Sequence, residues 1–328
     1  MTTSAQPSGP PSGEDETLTE LGEFGLIARV TAGRVQPATT LLGPGDDAAV
    51  VASADGRVVA TTDVLVAGRH FRLDWSQPED IGRKAAAANL ADVVAMGAVP
   101  TALLVALACP PDTPVAVLQG IADGLWAEAS EVGAGVVGGD VSAAPQIVLS
   151  VTALGSLEGR DPVTRSGARP GDVVALCGRV GWAAAGLAVL GRGFRSPGAV
   201  VEAHRRPQPP YGAGPEAARA GATAMIDVSD GLLADLGHIA EASGVVIDVH
   251  TAGLQVPPRL RDVGAALGID PMHWLLTGGD DHALAATFPS RPPEGWTVIG
   301  SVRAGDPAVL VDGRPYRGGP PGWDHFRR

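Results

Sequence analysis

The segment MIDVSDGLLADL, residues 225–236, passes from an apolar run through a short acidic turn into an amphipathic repeat. This order predicts a strand over 223–228 and a helix over 230–242. The two aspartates of the turn, Asp227 and Asp230, then lie where the strand gives way to the helix. A strand, a turn and a helix in direct succession favour a mixed α/β class.

Similar patterns occur on both sides of this segment. Further strands are predicted over 47–52, 57–64, 101–108, 146–154, 172–177 and 245–249. Further helices are predicted within 17–30 and over 76–97, 115–133 and 182–191. Ser76 and Glu79 match a capping box at the start of the helix over 76–97. The region 192–222 is rich in Pro, Gly and Arg, which predicts loops.

Length and composition predict a globular chain of two domains. The chain has 328 residues, of which 45% are hydrophobic and 18% are charged, and domains average roughly 150 residues. A change of composition at 164–172 places the boundary near residue 160. We expect a disordered tail at 1–16, an N-terminal domain at 17–160 and a C-terminal domain at 161–328. Since strands and helices mix in both halves, the predicted fold class is α/β or α+β.

The net charge of −12 narrows the range of partners. It argues against nucleic acid, because binding there depends on cationic side chains that neutralise phosphates. Small phosphorylated ligands remain compatible, since carboxylates can recruit metal ions that hold them. The sequence has no apolar stretch of transmembrane length and no basic segment at its start, so we expect a cytoplasmic protein without membrane contact. Cys109 and Cys177 lie in apolar runs, which predicts buried free thiols.

Acidic residues recur beside the ends of apolar runs. The places are Asp46-Asp47, Thr61-Thr62-Asp63, Asp92, Gly138-Gly139-Asp140, Asp227 with Asp230, and Asp280-Asp281. Each cluster alone is more simply interpreted as a turn or a helix cap, with Ser229 as the N-cap of the helix that follows Asp230. Together, carboxylates from several strand ends are typical of a site in which Mg²⁺ ions bind a nucleotide.

The usual nucleotide-binding motifs do not occur. The sequence has no GxxxxGK[ST], no GxGxxG before a helix and no protein-kinase motif set, and Lys84 is its only lysine. If the protein binds ATP, metal ions and arginines such as Arg165 must neutralise most of the phosphate charge. His70 follows the predicted strand that contains Asp63 after a short loop, which makes it a candidate site residue. A surface histidine without a role in the site is an equally good interpretation. No HExxH or GxSxG supports a zinc site or an acyl-transfer serine.

An ordered series of motifs runs through most of the chain. The motifs are GEFGLIARV, GPGDDAAVV, TTDVLVAGRHF, NLADVVAMGA, GGDVS, TRSGARPGD, IDVSDGLLADLGHIA, TGGDDHAL and GWDHF. The series resembles the thiamine-monophosphate kinase family, which belongs to the superfamily of aminoimidazole-ribonucleotide synthetase, or PurM-like proteins. The resemblance covers residues 22–326, and its specificity comes from the ordered set, because each motif alone is a weak signal.

The resemblance implies a PurM-like fold with two domains. The strands of the N-terminal domain would build a β-barrel with the partner subunit of a homodimer, and the C-terminal domain would be α/β. The implied reaction converts ATP and thiamine monophosphate to ADP and thiamine diphosphate with the help of several Mg²⁺ ions.

The resemblance also assigns roles to residues at matching positions. The positions implied to bind metal are Asp47, Thr61, Thr62, Asp63, Asp92, Asp140, Asp227 and Asp230, whereas Asp46 is implied to be a turn residue or to support a metal ligand without binding the metal. Nucleotide contacts fall on Gly139, Asp140, Arg165 and Ser229. Contacts to the thiamine phosphate fall on His70, Asp280 and Trp323. The family commonly has glutamate at the position of Asp280, and tyrosine also occurs at the position of Trp323.

The implied chemistry requires no protein base. A phosphate monoester is ionised near neutral pH because its second pKa is about 6, so direct in-line transfer needs positioning and charge neutralisation. The alternatives are another PurM-like ATP-dependent enzyme, a carboxylate-metal phosphohydrolase and an acidic cation-binding protein. The chain lacks the N-terminal or C-terminal cysteine that the selenophosphate-synthetase and hydrogenase-maturation members would need.

Overall fold

The structure is a computed structural model, and it describes residues 16–44 and 48–323. The acidic pair at 46–47 and the last residues of the GWDHF motif lie outside these ranges. The metal role implied for Asp47 therefore stays a prediction. The tail predicted at the start of the chain lies outside them too, apart from its last residue.

The strands and helices alternate along both halves of the described chain. The strands are β1 (Thr40–Leu42), β2 (Val50–Val51), β3 (Val59–Val66), β4 (Val99–Cys109), β5 (Gly135–Ala143), β6 (Val148–Ser156), β7 (Val173–Cys177), β8 (Ala224–Val228), β9 (Val246–Val249), β10 (Ala283–Phe288), β11 (Thr297–Arg303), β12 (Ala308–Val311) and β13 (Arg314–Pro315). The helices are α1 (Leu18–Leu21), α2 (Glu23–Thr31), α3 (Pro78–Ala95), α4 (Val115–Glu131), α5 (Trp182–Gly191), α6 (Gly198–Arg205), α7 (Ala213–Arg219), α8 (Leu232–Ser243), α9 (Pro258–Leu267) and α10 (Pro271–Thr277). A short 3₁₀ turn spans Thr251–Gly253. The predicted mixed α/β class is confirmed.

The start of the described chain packs against the first half of the protein. Glu16 binds Arg29 through its carboxylate at 2.8 Å, and its carbonyl oxygen accepts a hydrogen bond from the backbone of Val115. Two helices, α1 and α2, replace the single helix predicted here, because Gly22 between them has a φ of 75°. Glu16 therefore belongs to the fold and not to the predicted tail.

A four-stranded sheet forms the first half, with the strand order β3-β6-β4-β5. Strand β6 is antiparallel to both β3 and β4, and β4 is parallel to β5. One face packs against α3 and α4, whose buried side chains form a core with those of the sheet. The opposite face, here called the outer face, carries Thr62, Val64, Leu104 and Asp140, and all four are partly or largely exposed. They share this face because directly paired strand residues point to the same side of a sheet.

A seven-stranded sheet forms the second half, in the order β13-β12-β9-β11-β7-β10-β8. Its neighbouring strands are antiparallel except for the parallel pair β12 and β9. Helices α5, α8, α9 and α10 contribute buried residues to the larger core on this sheet. A smaller core joins the sheet to α7 and to the C-terminal end of α3.

Helix α3 contacts both halves of the protein. Its alanine-rich sequence favours a helix, since alanine has the highest intrinsic propensity, and Pro78 suits the first helical position. The capping box is formed by Gln77 and Asp80 instead of the predicted pair one residue earlier. Ile81 packs in the core of the first sheet, whereas Val94 packs in the small core of the second. The helix therefore fixes the position of its polar residues relative to both sheets.

The region 192–222 corrects the prediction of a continuous loop. Two helices form there, α6 and α7, and their buried faces carry Val200, Val201 and Ala217. Their apolar stretches are too short to show a clear helical period in the sequence, and the surrounding prolines and glycines mask them.

Two further sequence-based expectations concern membranes and cysteines. Among the described residues, no helix combines the length and the apolar composition that crossing a membrane requires. Cys109 is a buried free thiol as predicted, and Cys177 is free but only partly buried.

Candidate active site

A pocket of about 760 Å³ lies between β3, α3 and α5 on one side and the segments around Asp227 and Asp280 on the other. Its volume is in the range of small-molecule sites. The ionisable and aromatic residues that line it are Asp63, Arg69, His70, Phe71, Arg72, Trp75, Lys84, Asp92, His204, Asp227, Asp230, His273, Asp280, His282 and Trp323. Many of them come from the motifs singled out in the sequence.

The N-terminal half contributes two carboxylates from different elements. Asp63 lies within β3, and its backbone N–H donates to Oδ1 of Asn89 on α3 at 2.9 Å. Asp92 lies in the last turns of α3, and its Oδ2 accepts a hydrogen bond from Thr61 at 2.8 Å. These two side-chain contacts join β3 to α3 and fix both carboxylates at one wall of the pocket.

The C-terminal half contributes Asp227 and Asp230 from the segment around the end of β8. Oδ2 of Asp227 lies 3.0 Å from Nδ1 of His282, and both side chains are almost fully buried. Oδ2 of Asp235 accepts hydrogen bonds from the backbone N–H groups of Asp230 and Gly231, at 3.1 and 3.0 Å. Asp235 thus caps this turn, and the expectation that Ser229 is the helix N-cap is wrong, because α8 begins after Gly231.

The carboxylates of the pocket repel one another. Burial raises the pKa of Asp63, and the charges of Asp227 and Asp230 raise it further. Burial and the charges of Asp227 and Asp63 raise the pKa of Asp92 to about 7. Burial, followed by the charge of Asp227, raises the pKa of Asp235 to about 7. The metal-free pocket therefore holds more negative charge than its surroundings stabilise.

One buried cation offsets part of this charge. Burial alone would lower the pKa of His282, but its hydrogen bond to Asp227 and the charges of Asp227, Asp280 and Asp92 raise it to about 9. His282 is therefore protonated at neutral pH, and its ring donates to Asp227.

The stability of the metal-free protein is expected to depend on pH through the pair of His282 and Asp227. The folded-state pKa of His282, about 9, lies above its ordinary value of 6.5. The stabilisation is then fully present below about pH 6.5 and lost as the pH rises through about 9, by at most about 3 kcal/mol. Denaturant unfolding of wild type and His282→Gln at several pH values, with a chelator present, measures it. A difference in unfolding free energy that stays constant between pH 6 and pH 9.5 would contradict the assignment.

A second buried cation lies at another wall of the pocket. Nζ of Lys84 donates to Oδ2 of Asp280 at 2.7 Å and to the carbonyl oxygen of His204 at 3.3 Å. Burial alone would raise the pKa of Asp280, but Lys84, His204 and His282 together lower it to about 2. Asp280 is therefore ionised and paired with a lysine from the other half of the protein.

The loop that carries Asp280 has a tightly constrained backbone. Asp280 and His282 have φ angles of 71° and 53°, which residues other than glycine rarely adopt. Hydrogen bonds from their backbone N–H groups to the carbonyl oxygens of Ser229 and Val228 hold them there. A Cβ atom at Gly279 would lie 2.2 Å from the carbonyl oxygen of Ser229, so only glycine fits.

His70 and Trp323 both line the pocket. Nδ1 of His70 accepts a hydrogen bond from the backbone N–H of Val66 at 2.9 Å, so the neutral ring carries its proton on Nε2. The backbone N–H of Trp323 donates to the carbonyl oxygen of Asp230 at 2.9 Å. The indole side chain is 59% exposed, which leaves much of its surface accessible at the pocket.

Other predicted site residues lie away from this pocket. Thr62 and Asp140 point to the outer face of the first sheet, opposite to Thr61 and Asp63. Gly139 lies beside Asp140 in β5, where a Cβ atom would come within 1.9 Å of the carbonyl oxygen of Val105, so backbone packing alone requires glycine. A further predicted residue, Arg165, is exposed in the loop before β7.

The donor set of the pocket fits Mg²⁺. Among residues 16–44 and 48–323, no three His, Cys, Asp or Glu side chains form a complete ligand cluster. Mg²⁺ usually binds through one or two carboxylates together with phosphate oxygens and water, so an open arrangement suits this ion. The raised pKa values of Asp63 and Asp92 show carboxylates that an added cation would stabilise.

Sequence reasoning misplaced two aspartates and missed several partners. Asp140 lies inside β5, a strand that was not predicted, and Asp280 precedes β10 instead of following a strand. Asp63 and Asp227 lie inside β3 and β8, as the predicted strands over 57–64 and 223–228 imply. The residues not predicted to belong to the site are Lys84, His204, Asp235 and His282. A lone lysine in an alanine-rich helix was the one available signal, because a buried charge needs a partner.

Comparison with known proteins places this arrangement among related chains. A sequence model of the family described as AIR synthase related protein, N-terminal domain, matches residues 45–157. The chain is 54% identical over 314 residues to the thiamine-monophosphate kinase of Mycobacterium tuberculosis strain H37Rv, and the alignment covers 95% of this chain and 94% of the relative.

Two solved structures are similar to this chain. The complex of AaThiL with AMPPCP and TMP is similar with a TM-score of 0.77 at 33% identity, over 95% of this chain and 99% of that one. The hydrogenase maturation protein HypE of E. coli has a TM-score of 0.69 over 91% of this chain and 97% of its own. Its identity is 18%, so this second likeness concerns the fold alone.

Proposed function

The chain belongs to the thiamine-monophosphate kinase family, and we propose that its own reaction is the ATP-dependent phosphorylation of thiamine monophosphate to thiamine diphosphate. The protein is thus a kinase whose acceptor is itself a phosphate. The relative solved with AMPPCP, an ATP analogue, and with TMP supports both substrates. The observation in this chain that carries the proposal is the meeting of Asp63, Asp92 and Asp227, from three separate elements, in one pocket.

The acceptor chemistry agrees with the character of this pocket. The attacking atom would be a phosphate oxygen that is ionised near neutral pH, since the second pKa of a monoester is about 6. The reaction then depends on orientation and on neutralising the charge of two phosphate groups. We propose direct in-line transfer, with no phosphorylated residue as an intermediate.

The carboxylates would hold Mg²⁺ beside the reacting phosphates. We assign this role to Asp63, Asp92, Asp227 and Asp230 in the pocket. Bound Mg²⁺ supplies charge neutralisation at phosphate oxygens. The protein's own contribution is orientation, because Thr61 holds the Asp92 carboxylate, Asn89 holds the backbone of Asp63, and Asp235 holds the backbone of Asp230.

The nucleotide side of the reaction is proposed to involve the outer face of the first sheet. We assign nucleotide or metal contacts there to Thr62, Gly139 and Asp140, with Arg165 and Ser229 completing the nucleotide contacts. Apolar side chains on the same face, Val64 and Leu104, are 48% and 37% exposed. Their exposure supports the expectation that a partner subunit of a homodimer covers this face. We propose a cytoplasmic enzyme whose partners are ATP and thiamine monophosphate and include neither nucleic acid nor a membrane.

The acceptor side is proposed to use His70, Asp280 and Trp323. All three line the pocket that contains the carboxylates. An indole face attracts a cationic ring, and the thiazolium ring of the acceptor carries a positive charge. In the tautomer that the Val66 contact requires, the proton of the neutral His70 ring is on Nε2.

Replacement of Trp323 by alanine is expected to weaken binding of the acceptor selectively. Loss of a cation–π contact worth about 0.5–2 kcal/mol raises KM for thiamine monophosphate roughly 2- to 30-fold. KM for ATP should change by less than about twofold if the indole contacts only the acceptor. Initial rates measured with each substrate varied in turn decide this, and a parallel rise in both KM values would contradict the assignment.

The reaction itself is tested by following its products. With ATP, Mg²⁺ and thiamine monophosphate, we expect ADP and thiamine diphosphate to appear in equal amounts on chromatography. Release of inorganic phosphate at the same rate with and without thiamine monophosphate would instead indicate a carboxylate-metal phosphohydrolase. ATP consumption that requires a different acceptor would indicate another PurM-like enzyme.

A further inference from the structure

The only lysine of the chain contributes a buried charge to the proposed acceptor pocket. Its side chain is 6% exposed, whereas that of its partner Asp280 is 44% exposed. Lys84 comes from α3, and Asp280 comes from a loop 196 positions further along the chain. The ammonium group is therefore held within the wall, and the carboxylate is the part of the pair that the pocket can reach.

Both partners have well-defined positions. Lys84 projects from an 18-residue helix, and the neighbouring Ala85 is fully buried. Asp280 is held at a positive φ by the hydrogen bond from its backbone to Ser229, and the preceding glycine has no room for a side chain. With Oδ2 bonded to Lys84, rotation of the carboxylate is restricted, and Oδ1 keeps one orientation.

The surroundings leave Lys84 as the main charged partner of Asp280. His204 lies next to the pair, with Nδ1 at 3.9 Å from Oδ2 of Asp280. Burial and the charge of Lys84 lower the pKa of His204 to about 3, so its ring is neutral at physiological pH. His282 acts on Asp280 from a greater distance and is itself hydrogen-bonded to Asp227. A pair with little net charge is suited to hydrogen bonding with a neutral polar group.

We propose that Lys84 is a positioning residue for acceptor recognition, which holds Asp280 so that its Oδ1 accepts a hydrogen bond from the amino group of the acceptor's aminopyrimidine ring. The inference rests on the proposed function, because it takes thiamine monophosphate as the acceptor. Lys84 acts through Asp280 and does not touch the substrate. The pairing also explains how an aspartate can serve where the family commonly has a longer glutamate.

A double-mutant cycle tests whether Lys84 acts through Asp280. Lys84→Met is expected to raise KM for thiamine monophosphate about ten- to a hundredfold, because a charge-assisted hydrogen bond loses its geometry. Turnover at saturation and KM for ATP should change by less than about threefold. In an Asp280→Asn background, Lys84→Met should add less than about a twofold further effect, because the group that it orients has lost its charge.

The matched control is Arg206→Met. Arg206 also carries its cation between the two halves, through Asp80, but it does not line the pocket. Its removal is expected to lower the melting temperature and to leave both KM values unchanged. If Lys84→Met behaved like this control, Lys84 would be a structural residue only. If the effects of Lys84→Met and Asp280→Asn multiplied, Lys84 would contact the acceptor directly. Either result overturns the proposal.

A measurement on the unsubstituted protein remains decisive even if Lys84→Met does not fold. Because the chain contains one lysine, protein grown with [¹³Cε]lysine gives a single side-chain NMR signal, from Lys84. Added thiamine monophosphate should shift this signal, and AMPPCP alone should leave it in place. A signal that responds to AMPPCP but not to thiamine monophosphate would overturn the proposal.

Failure of the inference is distinguishable from failure of the proposed function. If the reaction is assigned correctly but the role of Lys84 is not, diphosphate still forms and KM for thiamine monophosphate is unchanged in Lys84→Met. If the reaction is assigned wrongly, wild type forms no diphosphate under any of these conditions.

Discussion

Replacement of Asp63 or Asp92 by asparagine is expected to lower turnover at least about a hundredfold, because each change removes a charge that would hold Mg²⁺ beside the reacting phosphates. Asparagine keeps the volume of aspartate, so packing between β3 and α3 is retained. Thr61 can still donate to the side-chain oxygen of residue 92. The stability of the metal-free protein should hold or rise, since burial and neighbouring carboxylates raise the pKa of both residues.

These opposite effects on activity and stability make the experiment specific. The matched control is Asp112→Asn, which removes an exposed carboxylate from the same half of the protein and should affect neither property. Turnover is measured over a range of Mg²⁺ concentrations, and unfolding is measured with a chelator present. Wild-type turnover of Asp63→Asn or Asp92→Asn at limiting Mg²⁺ would show that these carboxylates do not bind the metal.

Free thiamine is expected to be phosphorylated at least about a thousandfold less efficiently than thiamine monophosphate. Its alcohol has no ionised oxygen at neutral pH and would need a general base. The buried histidines of the pocket are unsuited to this role. His282 is protonated, because its pKa is raised to about 9, and the pKa of His204 is lowered to about 3.

Competition between the two acceptors measures this preference directly. Equal concentrations of thiamine and thiamine monophosphate are supplied with ATP and Mg²⁺, and the phosphorylated products are separated by chromatography. Thiamine diphosphate should form from the monophosphate, with no new monophosphate from thiamine. Comparable use of both acceptors would mean that a base in the pocket activates the alcohol, and the proposal that the reaction needs no protein base would be wrong.

The strands β5, β10, β11 and β12 and the helices α9 and α10 were not predicted from the sequence. Most of the other elements were predictable because their hydrophobic periods are local. The helix over 182–191 and the strand over 172–177 illustrate this, since both appear within a residue of the predicted bounds. The sheet face that a strand residue occupies was harder to predict, because it depends on how the strands pair. Thr61 and Thr62 are adjacent in sequence, yet the pleat of β3 sends them to opposite faces, and only the register with β6 shows which face each one takes.

The site depended on contacts that no local pattern encodes. Asp63, Asp92 and Asp227 could be recognised as an unusual set of carboxylates, but their common pocket arises from packing between distant segments. The ion pair between Lys84 and Asp280 joins helix α3 to the loop that precedes β10. His282 lies in the TGGDDHAL motif, but the motif assigned it no role, and its role follows from its burial beside Asp227.

Helix α3 fixes the distance between two parts of the pocket, and this distance limits the length of the ligands that can reach both. Lys84 and Asp92 lie on one side of the helix, eight residues apart, and at 1.5 Å per residue their α-carbons are about 12 Å apart along its axis. A helix packed against both sheets cannot stretch, so this spacing stays constant when substrates bind. Analogues in which the linker between ring and phosphate is longer or shorter than in thiamine monophosphate would therefore engage one end of the helix at the expense of the other.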